Sequence, residues 1–352
     1  MDDGEVAQRV AADAGLADQL AALGYTTAIA PQVEGEAPDP EDNIGLLADM
    51  EGVRQAARSG DLETLETLVA ELLEADPGLV EPRISLATTL LSKGKPARAK
   101  EVADDVLAQQ SSAIALVVAG SARVQLGEMQ DGLATLHSAV AMDPTLAQAW
   151  VALLNGLLLS GDARGLREQS DAALHTLPEQ PEVRALAAVG LALTNDTARA
   201  EPLLEQLLID APETPMVRLG LGTVAQDAGR AEEAERLYRE EMERFPPALP
   251  ARRHLVALLA QQRQLEAQIT ELLALQQLEP PSPLTWLSLA QARYNQGEHA
   301  QALADVRRCV ELAPALPDCA LLEANALHKL GREEEAQAAL ARARALAGEG
   351  SP

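Results

Sequence analysis

The sequence predicts an all-α fold, a solenoid of about nine stacked helix pairs, and three regularities predict it. A proline recurs every 34 residues at Pro144, Pro178, Pro212, Pro246, Pro280 and Pro314, and Pro77 and Ser111 extend that ladder toward the N-terminus with a one-residue slip before Pro144. A second ladder keeps step with it at Gly60, Gly94, Gly127, Gly161, Asn195, Gly229, Arg263, Gly297 and Gly331. Small and large apolar residues alternate at fixed places between the two.

Each unit reads as two amphipathic helices when the proline is numbered 32, with positions 1–14 first, the glycine at 15, and positions 18–31 second. Glycine enters the left-handed conformation that ends a helix without penalty, and asparagine is the next best residue. Arg263 is neither, so its turn is expected to differ. Pro181, Pro215, Pro283 and Pro317 stand at position 1, where a fixed φ is already helical and the missing N–H costs nothing. Position 20 is small (Ala99, Gly132, Ala200, Ala234, Ala302, Ala336), as is position 8 (Ala87, Gly120, Ala188, Gly222, Ala290, Ala324). Leu86, Leu153, Leu221, Leu255 and Leu289 at position 7, and Leu136, Leu204, Tyr238, Leu272, Val306 and Leu340 at position 24, supply the matching bulk. Small against large is how paired helices interlock at close range.

This spacing and pattern resemble the tetratricopeptide repeat, including its tryptophan at position 4, here Trp150 and Trp286. The resemblance implies a right-handed alpha-alpha superhelix over residues 46–347, in units beginning at Leu46, Val80, Ala113, Ala147, Pro181, Pro215, Leu249, Pro283 and Pro317. Residues 1–45 are expected to be a separate helical and acidic linker segment, and 348–352 a disordered tail. Four departures stand out. Pro202 is expected to delay or bend a second helix. Gln268 replaces the small residue at position 20, and Glu323 the leucine at position 7. Cys309 and Cys319 fall on adjacent antiparallel helices, where a disulfide is conceivable but free buried thiols are the preferred reading.

Charge narrows the partners. With 54 acidic against 28 basic residues, a net −26, the chain lacks the basic stripe that a phosphate backbone requires, which excludes nucleic acid. Direct membrane insertion is excluded too, because no apolar run approaches the ~20 residues of a span. The start, MDDGEVAQRV, has neither the basic nor the apolar part of a signal peptide, so the chain as written is expected in the cytoplasm. The five histidines fall at five different repeat positions, and no metal-ligand spacing, nucleophile motif or nucleotide fingerprint is present. No enzyme chemistry, metal or cofactor is expected.

Function then rests on the groove. In the family the repeats resemble, first helices line the concave face, and positions 2, 5, 9 and 12 point into it. The candidate peptide-binding residues are Leu219, Arg253 and Leu287 at position 5; Thr223, Gln291 and Asn325 at position 9; and Gln226, Tyr294 and His328 at position 12. Apolar with scattered amides and hydroxyls, this lining suits a protein or peptide segment. The family's lysine clamp for a terminal carboxylate is missing, since no lysine occupies position 5. Arg83, Arg184, Arg218 and Arg252 share position 4. They either receive an acidic partner or, the preferred reading, cover the apolar edge where tryptophan usually sits and pair with nearby carboxylates.

One further resemblance concerns the N-terminus. Leu20, Ala22, Leu23, Gly24 and Tyr25, followed by Asp39, Pro40 and Asp42, resemble the junction between catalytic domain and repeat tail in bacterial sulfatase-like hydrolases of the alkaline phosphatase superfamily. That resemblance implies an accessory tail, periplasmic or exported with its parent. The C-x-P-S-R nucleophile motif of those enzymes has no counterpart here.

Overall fold

The computed structural model describes residues 40–348, with side chains from residue 46. The segment resembling a hydrolase junction up to Asp39, and residues 349–352, lie outside the described residues. Eighteen helices run in nine pairs, and no strand occurs among the described residues. The pairs are α1 (Pro40–Ser59) with α2 (Leu62–Ala75), α3 (Glu81–Ser92) with α4 (Pro96–Gln109), and α5 (Ala113–Gln125) with α6 (Met129–Met142). Next come α7 (Ala147–Ser160) with α8 (Ala163–Thr176), α9 (Pro181–Leu193) with α10 (Thr197–Asp210), and α11 (Val217–Asp227) with α12 (Ala231–Arg244). The array closes with α13 (Leu249–Gln261) and α14 (Leu265–Leu278), α15 (Pro283–Gln296) and α16 (His299–Leu312), and α17 (Pro317–Lys329) and α18 (Glu333–Leu346). Every helix packs on the next and, with one exception between α13 and α15, each first helix also packs on the first helix of the following unit, forming a superhelix.

All nine residues of the second ladder take positive φ. Arg263 does so too, at φ 56°, and its turn matches those of the glycines. Its N–H donates to the Ala260 carbonyl and that of Gln264 to the Leu259 carbonyl, as Gly94 and Lys95 donate to Leu91 and Leu90. The expected difference at this turn does not occur, because paired backbone groups fix the conformation whatever the side chain. A left-handed non-glycine costs roughly 1–2 kcal/mol, part of which glycine returns as unfolded-state entropy. Arg263→Gly is therefore expected to stabilise the chain by about 0.5–1 kcal/mol, read as a higher urea midpoint. An unchanged or lower midpoint would mean that the turn is unstrained.

Close approach is set by small residues. A Cβ on Gly120 would meet Leu136 Cγ at 2.7 Å, and one on Gly132 would lie 3.0 Å from both the Gly120 carbonyl oxygen and the Val124 nitrogen. In α11, a Cβ on Gly220 would reach Leu204 at 2.7 Å and Val189 at 3.0 Å, so α9, α10 and α11 are drawn tightly together. The core between such pairs is built of leucine, alanine and valine.

Position 4 has one job in three units. Trp150 Nε1 donates to the Pro144 carbonyl at 2.8 Å, Arg218 donates to the Pro212 carbonyl at 2.9 Å, and Arg83 to the Pro77 carbonyl. Arginine thus replaces tryptophan as the donor that ties the first helix to the preceding loop. Arg252 instead pairs with Glu271.

Three expectations are corrected. α11 begins at Val217 rather than at Pro215, with Met216 left-handed at φ 74°. The reason is Glu241 on α12, which occupies position 27, elsewhere apolar, and accepts the Met216 N–H. α10 starts in register at Thr197 and continues past Pro202 to Asp210, so the delay expected at that proline does not occur. Cys309 and Cys319 are joined in a disulfide rather than free. Position 27 of one unit faces position 3 of the next, and the Cα–Cα distance of 5.9 Å falls inside the range that a disulfide spans.

Surface charge follows the repeat. Position 21 of one unit meets position 16 of the next in Lys100–Glu128 at 2.7 Å, Arg167–Asp196 at 2.8 Å and, with signs exchanged, Glu201–Arg230 at 2.8 Å. Exposed pairs of this kind contribute at most about 1 kcal/mol each.

Candidate functional site

The concave face is open in α3, α5, α7 and α9. Leu91 and Val124 at position 12, Ser121 and Asn155 at position 9, Val151 at position 5, and Gln148 and Glu182 at position 2 line a trough of about 550 Å³. Gly156, Ala152 and Ala147 complete it, and Leu159 stands exposed at its edge. Its surface is mostly apolar, with one serine hydroxyl and the amides of Gln125, Gln148 and Asn155 as hydrogen-bonding groups, and Glu182 as its one charge. This trough lies N-terminal to the residues singled out from the sequence. The signal was present in the ladder itself, since Leu91, Val124 and Val151 hold groove positions beside small neighbours.

The sequence-predicted residues divide into three groups. Leu219 and Thr223 are only 2% and 6% exposed. Leu219 packs with Val189, Ala225 and Leu255, and the Thr223 hydroxyl donates to the Leu219 carbonyl at 3.0 Å. Neither is presented to a ligand, which corrects their assignment to the groove. Gln226 is engaged too, accepting the Tyr238 hydroxyl at 2.9 Å and donating to Gln261 at 3.3 Å. Burial pushes the Tyr238 phenol up to about 12, so at any physiological pH it serves Gln226 as a donor.

Leu287, Gln291 and Asn325 do come together, with Ser288 and Leu321, around a cavity of about 390 Å³. Arg253 lines a neighbouring cavity of about 520 Å³ and pairs with Glu279 at 2.8 Å. The remaining two stand apart from these cavities. Tyr294 packs its ring on His299 at 5.1 Å, and the exposed His328 places Nδ1 2.9 Å from Glu333.

Titratable groups with shifted protonation serve structure. Burial lifts the Glu241 and Asp305 carboxyls above their ordinary range, against the pull of Arg218 and Arg293 respectively. Burial also depresses the imidazole of His254, which packs against Tyr238 at 5.7 Å. Among the described residues no group of three or more His, Cys, Asp or Glu could hold a metal ion, and no helix is long and apolar enough to cross a membrane.

Fold and groove together define an α-solenoid with an open trough on its concave face. Models of the tetratricopeptide repeat match residues 84–147 and 186–248, and a further model of that repeat matches 284–316. No curated protein matches the sequence. Among solved structures, a tetratricopeptide repeat protein from Parabacteroides merdae is 14% identical, with a TM-score of 0.48, and covers 75% of this chain and 98% of its own. MamA AMB-1 is 21% identical at a TM-score of 0.43, over 49% of this chain and 93% of its own. The APC/C heterotetramer Cut9–Hcn1 is 14% identical at 0.46, over 85% of this chain and 66% of that one.

Proposed function

We propose that the chain is a non-catalytic interaction scaffold that holds a protein or peptide segment along its concave face, with the α3 to α9 trough as the principal contact. The observation that carries this reading is the trough's lining, an apolar floor edged by amides and one hydroxyl. Such a surface buries apolar side chains while satisfying main-chain groups, and offers no nucleophile with a base beside it. The net charge of −26 directs the choice of partner away from nucleic acid. Leu287, Gln291, Asn325 and Arg253 extend the contact toward the C-terminus.

Val151→Asp combined with Leu159→Asp places two carboxylates in the trough while replacing no fully buried side chain, since Leu159 is exposed and Val151, at the edge of the core, is half-buried. With a partner isolated on the unaltered chain, this double variant is expected to weaken binding at least tenfold in calorimetry, with an unchanged circular dichroism spectrum. Undiminished binding would remove the trough from the function.

An accessory tail of a sulfatase-like hydrolase is the second reading. It is favoured by the start of α1 at Pro40, within the Asp39-Pro40-Glu41-Asp42 segment that resembles the opening of such tails. A reading frame that continues upstream of the Met1 codon into a C-x-P-S-R hydrolase would support it, and an in-frame stop would refute it.

A further inference from the structure

The last helix pair is weakly held. Every other second helix packs on the first helix of its own unit and on the first helix of the next, whereas α18, among the described residues, packs closely on α17 alone. It is also the one second helix whose buried residues are all alanine, Ala336, Ala339 and Ala343. Each of the others buries at least one leucine or valine. On α17 itself Glu323, 8% exposed, stands at the position that five other units give to leucine, and is held by Arg307 at 3.4 Å and by Arg342. A buried ion pair of this kind adds little over the leucine it replaces, and a terminal repeat lacks the neighbour that stabilises an inner one.

One covalent bond compensates. Cys309 of α16 and Cys319 of α17 are both fully buried and are joined across the seam between the last two units, at a sequence separation of 10. When the last pair lifts off, the closed bond still ties the start of α17 to α16 and restricts the freed chain. For a loop of about ten residues this lowers the opened population on the order of a hundredfold. One wall of the cavity of about 390 Å³, made by Asp318, Leu321, Leu322 and Asn325, belongs to α17, and Leu287, Ser288 and Gln291 of α15 line it too. The bond therefore also determines how firmly this end of the concave face is built.

We propose that the Cys309–Cys319 bond is a redox latch on the last helix pair, closed in oxidising surroundings and opened by a dithiol reductant. Both cysteines are out of reach while α17 lies on α16, so attack takes place when the pair has lifted. One thiolate of the reductant then attacks a sulfur and breaks the S–S bond, giving a mixed disulfide, and its second thiolate displaces that sulfur. Two electrons and two protons pass to Cys309 and Cys319, which become thiols, and the reductant closes its own disulfide. Once reduced, the pair opens about a hundredfold more often. The latch is independent of what the concave face binds.

Hydrogen exchange on the full chain, read by mass spectrometry before and after treatment with dithiothreitol, tests the latch. Amides of α17 are expected to exchange faster by on the order of a hundredfold after reduction, and those of α3 to α12 to keep their rates. Cys309→Ala combined with Cys319→Ala should exchange like the reduced chain with or without dithiothreitol; alanine is what three other units carry at the Cys309 position. Leu340→Ala, which trims the half-buried leucine that α18 packs on this core, should speed reduction several-fold, read as thiols trapped with iodoacetamide. Two free thiols in the chain purified in air, α17 exchange indifferent to reduction, or a reduction rate indifferent to Leu340→Ala each overturns the proposal. Unfolding of the whole stack on reduction overturns it as well, since the bond would then staple the entire fold instead of latching its last pair.

Discussion

Glu241→Ala is expected to destabilise the chain by about 2–3 kcal/mol, among the larger effects of a single substitution. The carboxylate is 3% exposed, accepts the Met216 N–H, and is further stabilised by the backbone N–H groups of Arg218 and Leu219. It therefore serves as the N-terminal cap that α11 lacks from its own sequence, where no side chain caps Met216. Removal leaves these donors unpaired and deprives the Arg218 guanidinium, itself 5% exposed, of the buried carboxyl that attracts it. The loss stops short of the ~3–5 kcal/mol of a fully broken buried pair, because Arg218 keeps the Pro212 carbonyl and lies 3.8 Å from Glu240. Urea unfolding reads the magnitude, and hydrogen exchange should localise it to α11 and α12. A loss below about 0.5 kcal/mol, the range of ordinary surface changes, would deny the capping role.

The same group makes the effect depend on pH, with a sign fixed by burial. Glu241 is pushed above its ordinary value of 4.5 in the folded chain, so between 4.5 and its folded pKa the native state holds the extra proton. Stability from this group is then fully present below pH 4.5 and declines as pH rises through the folded value. The difference between the unaltered chain and Glu241→Ala should be greatest in acid and shrink toward neutrality. Growth of that difference with rising pH would show that the ion pair with Arg218 outweighs desolvation.

What the sequence reveals of this architecture is what is written within one unit. Gly94 or Pro317 acts on its own turn, so ladders of such residues specify where helices stop and start, and the nine pairs follow from them. Pro215 misleads because a residue 26 positions later, Glu241, decides where α11 begins. Arg263 misleads in the opposite sense: the paired turn imposes its conformation on a residue that disfavours it. The groove is harder to read, since one repeat position has different surroundings along the stack. Val151 faces an open trough, whereas Leu219 at the same position is sealed in, because Gly220 lets α11 close on Val189 and Leu204. Between α13 and α15 the first helices stay apart, and Gln268 stands where five other units have alanine. Spacing between units, which these choices of side chain set, determines what the concave face can hold.

Pro202→Ala should stabilise the chain by about 2 kcal/mol, an unusually large gain for an exposed position. Pro202 sits six residues into α10, past the first turn where a missing N–H is harmless, so the Ala198 carbonyl has no donor from it. A proline ring at such a site also crowds the carbonyl four residues back. The helix nevertheless begins in register and continues to Asp210, held by Ala200, Leu204 and Leu207, all fully buried. Packing of this second helix therefore overrides a local penalty of ~3 kcal/mol. Alanine restores the hydrogen bond and relieves the crowding, and gives back part of the gain because the unfolded chain regains freedom that proline had removed. The expected result is a raised urea midpoint, with slower amide exchange at residue 202 and its neighbours. Equal stability of the two chains would mean that α10 is already bent away from the ring, so that the Ala198 carbonyl finds its donor in water and the proline costs nothing where it stands.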